Sequence, residues 1–116
     1  MTPSSRYLVG FSGALLAAVG SIAGSADDTF AGLMNQAMHK MHSEMKVELT
    51  GDPDRDFARM MIPHHQGAVD MALVELRYGH DERLRRLAQG IIVEQKQEIE
   101  VMHLYLATPP PGAVAP

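Results

Sequence analysis

Met60, His64 and Met71 stand at positions i, i+4 and i+11 of one segment, and on a helix they fall within about 40° of one face. Two thioethers beside an imidazole form a soft donor set. Such donors select copper(I) over zinc, whereas carboxylate and water suit magnesium, calcium and manganese. A second stripe lies upstream, Met34, Met38, Met41, His42 and Met45, also at helical spacing. The chain has no cysteine, so any soft-metal chemistry falls to methionine. Copper(I) or silver(I) is the expected ion, with copper(II) reachable through imidazoles such as His39, His42 and His103.

A methionine stripe is also an ordinary core, because methionine forms helices well and fills irregular gaps. The histidines weigh against that reading, since His39, His42 and His103 each adjoin a methionine in sequence. His64 and His65 are neighbours and point about 100° apart, so they cannot both centre on one stripe. His64, aligned with Met60 and Met71, is read as the ligand. His65 aligns instead with Met61, Ala68 and Ala72 and is read as its support. Gln95 and Glu98, on what is expected to be an inward face, need partners, because a buried unpaired amide or carboxylate costs a few kcal/mol. One of them is expected to hold His64 or His65 in a single orientation, as outer groups do for metal-bound imidazoles. Pro63 removes a backbone donor inside the same segment and is expected to kink it beside His64.

These residues need helices to position them, and the apolar positions recur at three and four with no alternating run, which predicts an all-α chain. A first helix is expected from about Thr29 to Val47, opened by Asp27, Asp28 or Thr29. Gly51 then ends one element, and Asp52-Pro53 supplies an N-cap followed by proline at the first helical position. The second helix is expected to reach Tyr78, with Gly79 as its C-cap. Asp81 caps a third helix that runs to about Ala107, whose stripe of Leu84, Leu87, Ile91, Gln95, Glu98 and Met102 is expected to face inward. The proline-rich residues 108–116 cannot continue a helix and are expected to be disordered. His80, between two helices, reads as a solvated loop residue.

The first 26 residues have the layout of a secretory signal peptide: Arg6, an apolar run from about Tyr7 to Ile22, then Ala23-Gly24-Ser25-Ala26. Cleavage after Ala26 is expected, placing the protein in the periplasm or outside the cell. The alternative is an uncleaved membrane anchor, although the run is a little shorter than the roughly 20 apolar residues of a spanning helix. Removing the leader leaves 90 residues with nine basic and fourteen acidic side chains, a formal charge of −5. That balance lacks the basic footprint of a nucleic-acid binder. With no disulfides and a modest core, so small a domain gains from bound metal or from a second copy. A homodimer is therefore a candidate assembly, with the stripe of the first helix meeting its symmetry mate across a shared ion.

The string Asp56-Phe57-x-x-x-Met61-Ile62-Pro63-His64-His65-Gln66-Gly67-Ala68-x-x-Met71-Ala72 resembles the signature of domain-of-unknown-function family 305. The likeness extends upstream to Met38-His39-x-Met41-His42 and downstream to Gln95-x-x-Glu98-Ile99-x-x-Met102. It implies a small antiparallel helical bundle of ferritin-like type, exported, with some members proposed to bind copper or silver and contribute to metal tolerance. By the same resemblance His64, His65 and Met71 carry over as candidate ligands, with Met60, Met61 and Met102 near them.

Enzyme chemistry has little support. A ferritin-like di-iron site draws on Glu-x-x-His pairs from two helices. Only Glu100-x-x-His103 has that spacing, and Glu100 lies roughly 160° from the third helix's stripe. No cysteine nucleophile, glycine-rich phosphate loop or His-Glu-x-x-His motif is present. The sequence therefore points to an exported, non-catalytic binder of soft metal. Its other partners would be extracytoplasmic metal-handling proteins, and the competing reading is a helical interaction module with a methionine-rich core.

Overall fold

A computed structural model describes residues 28–110 and residue 112. The proposed leader, residues 1–26, and most of the tail beyond Pro110 lie outside the described residues. The described residues form three helices, α1 (Phe30–Glu44), α2 (Pro53–Tyr78) and α3 (Glu82–Ala107). Among the described residues there is no strand, and no helix is long and apolar enough to cross a membrane.

The boundaries follow cap chemistry. Thr29 is the N-cap of α1, its hydroxyl accepting from the Gly32 N–H at 3.0 Å. Asp52 caps α2 through the N–H groups of Asp54 and Arg55, with Pro53 at the first helical position. Asp81 does the same for α3. Side-chain acceptors at these positions satisfy N–H groups that no helix can pair internally. Gly79 closes α2 in an extended conformation rather than a left-handed one. α2 stays helical through Pro63, which is buried.

α1 ends at Glu44, three residues short of the expected Val47, because the connection to α2 is held by α2 itself. The carboxylate of Asp56 accepts from the Thr50 N–H at 2.9 Å, the Thr50 hydroxyl at 2.8 Å and the Gly51 N–H at 3.0 Å. Gly51 sits at φ +89°, a left-handed conformation that suits glycine. Arg59 donates to the Glu48 carbonyl. Asp56 is 6% exposed, and hydrogen bonds, first that of the Thr50 N–H, hold its carboxyl below the ordinary aspartate range despite desolvation. A carboxyl that ionises more easily when folded stabilises the fold above its unfolded pKa. That contribution is lost as the pH drops below about 4. Urea midpoints measured against pH should therefore fall more steeply on acidification for the wild type than for Asp56→Asn.

Both α1 and α3 pack on α2 and not on each other. α2 and α3 run antiparallel, as contacts from Arg55 to Leu106, His65 to Glu98 and Arg85 to Leu76 demonstrate. α1 is antiparallel to α2 on another side, with Phe30 edge-on to Tyr78 and Lys40 paired to Asp70 at 3.5 Å. Each end of the α2–α3 hairpin is clasped by an arginine from the first turns of the opposite helix. Arg55 donates to the carbonyls of Leu106 and Thr108, and Arg85 to those of Leu76 and Gly79. The guanidinium groups satisfy carbonyls left unpaired at a helix C-terminus. Arg85→Ala is expected to cost about 1–2 kcal/mol in chemical unfolding, the loss of two charge-assisted bonds at a half-buried site.

Among the described residues the buried apolar core is Ala37, Ala58, Val69, Ala72, Val74, Ala88 and Met102, of which only Met102 is larger than valine. Alanines at 58, 72 and 88 let the α2 and α3 backbones approach closely. This changes the expected inward stripe of α3. Met102 is buried and Ile91 and Gln95 are half-buried, but Leu84, Leu87 and Glu98 are exposed. The helix is turned so that Ala88, Ile92 and Ile99 share the contact, leaving Leu84 and Leu87 on the rim.

Candidate functional site

The Pro63–Ala72 stretch of α2 meets both neighbouring helices. Toward α1 the contact centres on Gly67. A methyl group built there would lie 2.7 Å from the Met41 Sδ and 2.8 Å from the Met41 Cβ. Glycine is thus required by the approach of α1, and in return the Met41 thioether rests in the turn between His64 and Met71. Lys40, one residue before, reaches Asp70, and Gln66 donates to the same carboxylate at 2.8 Å.

Toward α3 the contact centres on His65. Its Nε2 lies 2.6 Å from Glu98 Oε2, and its side chain is 15% exposed. An ionised carboxylate can only accept, so in the neutral imidazole the ring proton sits on Nε2 and the lone pair on Nδ1. His65 Nδ1 is buried and has no protein partner. The Glu98 contact expected for one of the two imidazoles therefore falls to His65. A groove beside it is lined by Phe57, His65, Glu98, Val101 and Met102.

His64 is exposed, its ring centroid 5.8 Å from that of His65. Met60 and Met71 are half-buried, and Met71 lines a groove against Leu84, Leu87 and Ile91 of α3. At about 100° per residue, Met60, His64 and Met71 lie on α2 between the faces covered by α1 and α3. In α1, Met34, Met41 and Met45 are half-buried, while Met38, His39 and His42 are exposed. His80 and His103 are exposed too. The structure thus brings Met41 to the His64–Met71 turn and Met102 to His65, and leaves Met38, His42 and His103 apart from them on the surface. Among the described residues no three His, Asp or Glu side chains converge as a metal-holding group.

Sequence reasoning missed three residues of this region. Asp56 was read only as part of a motif, although Thr50-Gly51 lies within reach for its carboxylate. Gly67 carries no chemistry of its own, and only the packing of α1 reveals its role. Phe57, an aromatic 58% exposed, reads as core by type.

The curated proteins contain no match to this chain. The family described as Domain of unknown function (DUF305) matches residues 14–106. That span covers all three helices, the Met/His turn of α2 and the Glu98 region of α3, and the chain belongs to this family.

Proposed function

We propose that the protein is an exported binder of copper(I) or silver(I), serving sequestration, tolerance or delivery of the ion outside the cytoplasm, without turnover. The observation that carries this reading is the seating of the Met41 thioether on Gly67, between His64 and Met71. Neutral, polarizable thioethers from two helices then flank one imidazole, a donor set suited to a soft monovalent ion. The free lone pair on His65 Nδ1 supports the same reading, since a buried nitrogen with no partner is costly unless something coordinates it. Glu98 would hold that imidazole in its tautomer, and a kink at Pro63 would widen the space beside it. Met38, His42 and Met45 at α1, and separately His103 on α3, would offer weaker surface donors open to copper(II).

The test is an anaerobic titration with copper(I) against a chromogenic chelator, repeated with copper(II) and a chelator matched to it. Tight competition for copper(I) with weaker competition for copper(II) is expected. No competition by the wild type would leave the methionines as core and overturn the reading.

A further inference from the structure

Three grooves run end to end along one side of the α2–α3 hairpin. Phe57, Ala68 and Met71 line them from α2, and Leu87, Ile91 and Val101 from α3. On α3 the sequence Leu84, Leu87, Ile91, Glu94, Glu98, Val101, Tyr105 alternates steps of three and four, the spacing with which helices pack side by side in bundles. On α2 the same alternation links Phe57, Met61, His64, Ala68, Met71 and Glu75. Much of both stripes is open: Leu87 is 59% exposed and Val101 66% exposed, Phe57 and His64 are exposed on α2, and α1 meets α2 at the flank of this face, at Gly67.

We infer that this trough is the interface between two copies of the chain, which pair hairpin against hairpin as a four-helix bundle. Two helices of 26 residues present a strip about 39 Å long and about 20 Å wide, close to the ~800 Å² per partner of a stable interface. The buried core of one copy is mostly alanine and valine, too thin for so small a domain without support, and Phe57, Leu84, Leu87, Val101 and Tyr105 stand exposed along the trough. A face that the fold itself needs covered calls for an occupant present whenever the chain is present, and a second copy meets that condition. The interface so placed differs from one built on the α1 stripe, because Met41 is committed to Gly67 of its own chain. If the soft-metal reading also holds, each copy brings its own His64 and Met71 onto the shared face.

The experiment is sedimentation velocity on metal-free protein, purified after expression of the full 116-residue sequence, with its intact mass recorded. Leaving metal out separates this test from the titration above. The wild type is expected at twice its chain mass. Leu87→Glu and Val101→Glu should convert it to monomer or, where the monomer cannot stand alone, to unfolded chain by circular dichroism. Val93→Glu, about 120° around α3 from the centre of the stripe and as exposed as Leu87, should leave the dimer intact. A wild-type monomer would overturn the proposal. So would a dimer that survives Leu87→Glu/Val101→Glu, or a monomer that retains residues 1–26 and covers the trough with its own apolar segment.

Discussion

Replacing Gly67 by alanine is expected to destabilise the protein by about 1–3 kcal/mol, whereas replacing Gly90 by alanine should stabilise it by about 0.5–1 kcal/mol. Both glycines lie within helices, so both substitutions gain the same backbone propensity, and the difference comes from surroundings. The new Cβ at 67 would stand 2.7–2.8 Å from Met41 Sδ, Cβ and Cγ. Swinging the thioether aside does not relieve this, because the Met41 Cβ is fixed to the backbone of α1. The helix itself has to retreat, loosening its contacts along α2 and exceeding the propensity gain. At Gly90 no atom lies within 4 Å of the added carbon. Thermal midpoints should separate in opposite directions from the wild type, by roughly 4–8 °C for each kcal/mol. Equal stability of Gly67→Ala and the wild type would contradict the α1–α2 contact described above.

The second large effect is expected in metal affinity. His64→Ala combined with Met71→Leu should abolish competition for copper(I), since it removes the imidazole and a thioether that flank Met41. Glu98→Gln should leave binding detectable but weaken it by about 10–100-fold, because the amide can donate to His65 Nε2 and so shift the ring proton to Nδ1. The order of the two effects is informative. A loss with Glu98→Gln as complete as with the double variant would place the main ligand at His65 instead of His64. No change with either variant would remove helix two from the site. Circular dichroism of each variant separates lost ligands from lost fold.

The limits of α2 and α3 are legible in the sequence because they depend on local chemistry: Asp52-Pro53 and Asp81 announce helix starts, and Gly79 an end. The pairing of Glu98 with one imidazole of the His64-His65 pair is legible too, from its place on the α3 stripe, although the carboxylate is exposed and the half-buried partner is His65. The facing of α3 is not. Its periodicity identifies a set of apolar residues, but which flank is covered depends on Ala58, Ala72 and Ala88, whose small size sets how closely the hairpin closes. The end of α1 is equally hidden, because Asp56 and Arg59 determine where the chain leaves the helix. Nor does spacing within one helix tell that Met41 meets Gly67, a contact made between two elements whose register only packing defines.

That α1 touches α2 alone has a consequence for motion. Its detachment breaks a single interface and leaves the hairpin, with an arginine clasp at each end, standing. Segments with few buried contacts open at lower free energy than the rest of a fold, so α1 can swing out as a unit while α2 and α3 stay paired. Met41 travels with it. A cargo shared between Met41 and His64 would then be released at the rate of that opening, with no need to unfold the protein.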